Sequence, residues 1–287
     1  MRFPVAGLVA GLSTLLPTLA SGHMFSGDEP WFFEVTGLYG QADGRLQTPA
    51  GGRQGSVTPS EPQFDESGTL SLEVVFGRRF GQHLAFVSYR NWGFEGNDTY
   101  QSLRQNNPVV GLPNDCVLIQ NAQFCNGDEV TARVDMDWLS FGYGYALDFT
   151  LSGGRDLLVV PYVQADIYRF EMEIDHVDDA KAAQYGRVDR RYNKAGLRVG
   201  GILEYDQNDW LSWGGKLATS IVLAATPSTT DIEAYARFRL WDSANTRGSL
   251  RAGVGYTYFR YNDNQTVPNQ LEVNIGPSPL LALAVQF

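Results

Sequence analysis

Hydrophobic and polar positions alternate with period two through most of this chain, the pattern of strands with two unlike faces. Ten segments carry it: 31–41, 70–80, 83–92, 130–149, 157–175, 192–205, 210–224, 231–241, 250–262 and 271–287. The second is the cleanest, with Leu70, Leu72, Val74 and Phe76 on one face and Ser71, Glu73 and Val75 on the other. Turn chemistry divides the segments, as at Gly81-Gln82, Leu151-Ser152-Gly153-Gly154 and 206–209. No helical period stands out. The connections alternate in length: 81–82, 151–154, 206–209 and 243–248 are short, whereas 42–69, 93–129 and 176–191 are long. The brief links 225–230 and 263–270 fall on the side of the long ones.

The last eight residues sharpen this pattern. Leu281, Leu283, Val285 and the terminal Phe287 share one face; Ala282, Ala284 and Gln286 share the other. The ending resembles the C-terminal strand of Gram-negative outer-membrane β-barrel proteins, which alternates in this way and closes on Phe. The resemblance implies a cell outer-membrane location, contact with lipid and lipopolysaccharide, and an assembly signal at Leu281, Leu283, Val285 and Phe287 read by the barrel assembly machinery. The expected fold is therefore all-β: a single antiparallel transmembrane β-barrel of ten strands, with eight or twelve as alternatives. Short turns then face the periplasm and long loops the exterior. Trp31, Phe80, Phe149, Trp210, Trp241 and Phe287 gather at the periplasmic end, and Tyr39, Trp92, Tyr192 and Tyr258 toward the outer one, as aromatic girdles do. Segments four to six exceed the roughly 9–11 residues a crossing needs, so their surplus projects above the membrane. Pro161 and a change of phase near Ile167–Arg169 point to a bulge in segment five.

Composition changes the picture in three places. Mean hydropathy is slightly negative, −0.23, which is normal where lipid-facing and lumen-facing residues alternate. The chain is acidic, at −10, with no basic patch, so nucleic acid is not an expected partner. The one continuous apolar run lies at the start: Arg2, then an apolar stretch over 5–16, then small residues around Ala20-Ser21-Gly22. That is the form of a cleaved signal peptide over 1–22, leaving 23–287 as the barrel domain.

Cys116 and Cys125 are close in sequence, and an exported chain meets an oxidising compartment, so a disulfide is expected. By loop entropy it would contribute about 2–3 kcal/mol.

Charges on a lipid-facing strand must point to the lumen. Glu34, Glu73, Arg198, Glu204, Lys216, Glu233, Arg237, Arg239 and Arg251 all sit out of phase with the apolar face. Both signs are present, which favours a salt-bridge network over an open conduit. Tyr235 is expected to cover Gly253 and Gly255.

Two constellations bear on chemistry. Asp135-Met136-Asp137 lies near the top of segment four, and Asp175-His176 ends segment five. They are similar to the Asp pair and the Asp–His pair at the outer rim of omptin proteases, which are ten-stranded barrels. The chain departs from that pattern. The omptin Asp–His pair lies on a later loop with one residue between its members; 225–230 holds no His, and Asp175 and His176 are adjacent. Lipid A deacylases use a Ser–His arrangement, and no Ser stands beside His176. A tight turn near Ser152 predicts that opposed residue numbers on segments four and five sum to about 304. That register sets Arg133 opposite Glu171 and Asp135 opposite Arg169, as structural rim pairs, and keeps Asp135 away from His176. No catalytic, metal or cofactor residues are assigned. The expected function is a structural or narrow-pore barrel with exposed loops. A rim hydrolase and a surface adhesin are the alternatives, and the external ligand or solute is unassigned.

Overall fold

The computed structural model describes residues 31–49, 59–60, 63–100, 115–119, 122–152, 154–221, 227–243, 246–263 and 269–287. The expected signal peptide over 1–22 lies outside them.

Ten long strands form the wall: β1 (Trp31–Pro49), β2 (Gln63–Phe80), β3 (His83–Thr99), β4 (Glu129–Tyr145), β5 (Arg155–His176), β6 (Val188–Asn208), β7 (Leu211–Ile221), β8 (Ser228–Asp242), β9 (Arg247–Asn262) and β10 (Gln270–Gln286). Each pairs antiparallel with its sequence neighbours, and β10 closes on β1. The closing seam ends in two backbone hydrogen bonds, Trp31 N–H to the Phe287 carbonyl at 3.2 Å and Phe287 N–H to the Trp31 carbonyl at 3.1 Å. A closed ring leaves no strand edge, the condition for a sheet to cross hydrocarbon. Gly81 takes a positive φ of 64° in the two-residue turn that sets Phe80 opposite His83. Asn208 holds the next such turn, its side-chain oxygen accepting from Trp210 N and Leu211 N.

In the half that carries the short turns the faces lie as expected. Leu281, Leu283 and Phe287 are exposed outward, while Ala282, Ala284 and Gln286 are buried inward. On β5 the outward residues Val159, Pro161, Val163, Ala165 and Ile167 are free of charge. The stretch from 157 to 167 covers about 34 Å along the strand. At a tilt near 40° that is about 26 Å, the height of a lipid-facing band.

Above Ile167 the rule reverses. Arg169, Glu171 and Glu173 point outward, while Tyr168, Phe170, Met172 and Ile174 point inward and are fully buried. β4 does the same, with Arg133, Asp135 and Asp137 outside and Val130, Ala132, Val134 and Met136 inside. No bulge occurs in β5, whose pairing to β6 runs without a register shift. The change of phase in its sequence is this reversal, where the surroundings pass from lipid to water. Pro161 shows instead in the strand beside it. β4 breaks at Ala146, level with Pro161 and Val160, and resumes as Leu147–Leu151. A proline offers no N–H to that ladder, and Ala146 N–H turns to the Gln82 carbonyl, 2.6 Å away.

The wall also divides in its outer half. β2 and β3 pair only from Leu72–Asn91 down to Phe80–His83. β6 and β7 pair only from Leu197–Ile221 downward. Among the described residues, two sheets therefore rise separately: the outer parts of β3, β4, β5 and β6, and those of β9, β10, β1 and β2. Their inner faces meet over one apolar core. Phe170 lies 5.6 Å from Phe259 and 5.0 Å from Tyr261, and Tyr192 reaches Tyr261 at 5.0 Å. The molecule is a lipid-facing barrel below and a water-facing β-sandwich above. This corrects two expectations about aromatics: Trp92 and Tyr192 point into this core rather than to the outer girdle.

Candidate functional site

The inward face of the barrel collects charge at one level. Among the described residues, five cations and six carboxylates form a series of ion pairs alternating in sign. It runs Asp166, Arg198, Asp231, Arg90, Glu73, Lys216, Glu233, Arg251, Glu34, Arg237, Glu204. Most contacts are hydrogen-bonded, such as Arg90 to Glu73 at 2.8 Å, Arg251 to Glu34 at 2.7 Å and Arg198 to Asp166 at 2.7 Å. The links through Lys216 are longer, 3.3 Å to Glu233 and 3.8 Å to Glu73. The surplus acid is met by neutral donors at the two ends. Ser140, Gln164 and Tyr168 donate to Asp166, and Tyr235 donates to Glu204 at 2.9 Å. Aromatic faces cover the cations: Arg198 lies 4.1 Å from the Trp138 ring and Arg251 4.7 Å from that of Tyr235.

Each charge but the half-buried Lys216 is buried, and each has a partner on a neighbouring strand or across the lumen. Such networks contribute little net stability over well-packed apolar residues, because desolvation offsets the attraction. What they enforce is register, since a one-residue slip turns every member toward lipid.

Eight of the nine charges expected in the lumen belong to the series. Arg239 does not; it approaches Asp242 at 3.8 Å near the rim that carries the short turns. Arg90, Asp166 and Asp231 are members that the sequence reading missed. Their signal was available, since each occupies an inward position two residues from another inward one: Ser88, Gln164 and Glu233. Tyr235 lies opposite Gly214 and Gly253. A side chain at Gly214 would meet its ring at 2.5 Å, whereas Gly255 faces Leu38 instead.

Beside the charges the lumen keeps a cavity of about 60 Å³, bordered by Phe32, Leu84, Phe86, Tyr162 and Lys216. It has room for a few water molecules. Outward of the charges comes the sandwich core, with Trp92 and Trp138 edge to face at 5.7 Å. Over that core sits a small hairpin, Cys116–Ile119 with Ala122–Cys125, closed by the expected disulfide. Its Val117, Ile119, Ala122 and Phe124 are fully buried in the same cluster.

The rim residues are placed differently from the expected register. The turn at 152–154 holds three residues, so the pairing is displaced by two. Asp135 faces Glu171, Arg133 faces Glu173, and Asp137 faces Arg169. Arg133 pairs instead with Glu95 on β3 at 2.5 Å, and Glu171 with Arg191 on β6 at 2.8 Å. The expected Arg133–Glu171 and Asp135–Arg169 pairs do not form. Asp135 and His176 are separated all the same: His176 is level with Val130, five positions along the ladder, and points inward where Asp135 points outward. The His176 ring is buried against Phe124, and its Nε2 lies 2.9 Å from the Gln123 carbonyl. A carbonyl only accepts, so Nε2 carries a proton and is not a base there.

An apolar outer wall around a charged interior, closed into a ring, has one suitable surrounding. The chain is an integral outer-membrane β-barrel protein of Gram-negative type. Among solved structures, it is similar to the outer membrane protease OmpT from Escherichia coli, with 10% identity, 92% of this chain and 100% of that one covered, and a TM-score of 0.40. It is similar also to Ail, the attachment invasion locus protein of Yersinia pestis, at 9% identity, 90% and 99% coverage and a TM-score of 0.31. Neisserial surface protein A gives 12%, 90% and 97%, and 0.28. No protein-family model and no curated protein matches the chain.

Proposed function

We propose that this protein is a closed, non-conducting barrel that holds an ordered β-sandwich above the outer membrane, in a structural or adhesive role. One observation carries the reading. The outer half of the lumen is filled by an apolar core whose Val134, Phe170, Met172, Phe259 and Val273 have no exposed surface. A hydrated ion on that route would lose its water to hydrocarbon-like surroundings, at a cost of many kcal/mol. The narrow-pore reading has less support for that reason, and the hydrolase reading gains no nucleophile–base couple at the rim among the described residues. The proposed partners are lipopolysaccharide around the outward charges of β3 to β6, and the assembly machinery at the strand ending in Phe287.

The test is planar-bilayer conductance of the refolded, disulfide-intact protein. A quiet membrane at protein densities that give full insertion is the expected result. Uniform, ion-selective steps would overturn the reading.

A further inference from the structure

The disulfide hairpin, seated on the sandwich core by its apolar side chains, also meets two titratable groups, His176 and Asp128. His176, at the outer end of β5, stacks on Phe124 with ring centroids 4.8 Å apart, and its Nε2–H donates to the Gln123 carbonyl at 2.9 Å. Its other nitrogen, Nδ1, is buried without a hydrogen-bond partner. It faces the Asp128 carboxylate, with Oδ2 3.9 Å away. A neutral imidazole therefore turns a lone pair toward an anion. Asp128 is tied to the hairpin as well: the same Oδ2 accepts from Cys125 N–H at 2.7 Å, and Oδ1 accepts from Lys181 at 2.6 Å.

We infer that His176 and Asp128 form a proton-operated latch that tightens the hairpin cap as the exterior acidifies. Protonation at Nδ1 turns the unpaired nitrogen into a donor aimed at Asp128, and the stacked ring then bridges β5 to the second strand of the cap at Gln123 and to Asp128 just beyond it. The other groups around the imidazole do not act in its place. Asp175 spends an oxygen on the His176 backbone N–H at 2.8 Å. Lys181, on the short helix α1 (Asp179–Tyr185), is committed to Asp128. Tyr185 presents only a ring, 5.9 Å away. Asp128 stays charged through the transition. Partial burial pushes its carboxyl upward, but the Lys181 ammonium and the Cys125 N–H outweigh that and hold it below the usual carboxylate range.

The latch is read by the rate at which a water-soluble phosphine reduces Cys116–Cys125 in the refolded barrel, measured at pH 8 and pH 5.5. Cys116 is almost fully buried and Cys125 half-buried, so attack on either sulfur is slowed while the cap is held down. The free peptide 115–126, oxidised, supplies the intrinsic pH dependence of the reagent. After that correction the native protein should react roughly tenfold more slowly at pH 5.5, the worth of one charge-assisted hydrogen bond. His176→Gln keeps a donor for the Gln123 carbonyl but cannot titrate, and should give equal corrected rates at the two pH values. Asp128→Asn keeps the acceptor for Cys125 N–H, loses the anion, and should lose the pH response with His176 in place. Equal corrected rates in the native protein would overturn the proposal, as would an undiminished response in both variants.

Discussion

Asp231 shows what a single residue contributes here. It receives Arg90 at 3.0 Å, Arg198 and the Thr257 hydroxyl at 2.7 Å, in the middle of the charge series. Asp231→Ala would leave two buried guanidinium groups short of an anion, which costs about 3–5 kcal/mol. The urea midpoint of the folded, heat-modifiable form should fall accordingly. Arg133→Ala removes an ion pair whose partners are about half exposed, 54% and 48%, and should cost less than about 1 kcal/mol. Equal losses in the two variants would mean that the lumenal series is solvated. Most of the series was legible because a charge on a lipid-crossing strand has one side to face. Its pairing was not. Which cation meets which acid depends on the closure of β10 onto β1 and on contacts across the lumen, and no local pattern reports those. The rim pairs failed for a smaller reason, a turn of three residues read with its centre one position early.

The strands themselves were visible where they cross lipid, and above it in β4 to β6, but hidden in the outer parts of β1 to β3. β3 runs to Thr99 although alternation was followed only to position 92. Beyond Trp92 come Gly93, Glu95, Gly96, Asn97 and Asp98, a turn-like composition that tertiary pairing with β4 overrides. The outer parts of β1 and β2, read as one long loop, are strands for the same reason. Close strand contacts yield a second test. A Cβ at Gly253 would stand 2.1 Å from the Ala234 carbonyl, which is backbone and cannot swing aside. Gly253→Ala should therefore cost about 1–3 kcal/mol. Gly37→Ala is the control, with its nearest neighbours at 3.9 Å, and should stay within about 0.5 kcal/mol. The closing element has its own readout. Phe287→Ala should lower the yield of assembled barrel in the outer membrane while export to the periplasm continues, as fractionation and heat-modifiability would show. An unchanged yield would mean that the terminal aromatic is not needed for assembly.

At the scale of the whole molecule, the two halves obey opposite solvent rules, and the border between them can be mapped. Cysteine introduced at Val177, beyond the outer end of β5 and 44% exposed, should react with an impermeant maleimide on intact cells. Cysteine introduced at Trp210, in the turn between β6 and β7 and 53% exposed, should react only after the outer membrane is breached. On intact cells, reaction at position 210 in place of 177 would reverse the assigned orientation, and reaction at both would refute it. Alternation and loop length together made the barrel and its strand number readable. The division into two sheets was not, because it depends on where pairing stops rather than on where it begins.

The reversal of faces at Ile167 and Arg169 also gives the protein a waterline. Below it, sinking or rising by one residue pair would wet apolar wall; above it, descent would carry Arg169, Asp137, Glu171 and Asp135 into hydrocarbon. Each basic side chain taken to the bilayer midplane costs about 2–4 kcal/mol, and acids somewhat less. The penalties add around the ring, so the barrel's depth is set without any anchor outside its own wall. The same belt is a ratchet on the passage that put it there. Its charges must cross the membrane once, during assembly, and every one of them then opposes the way back.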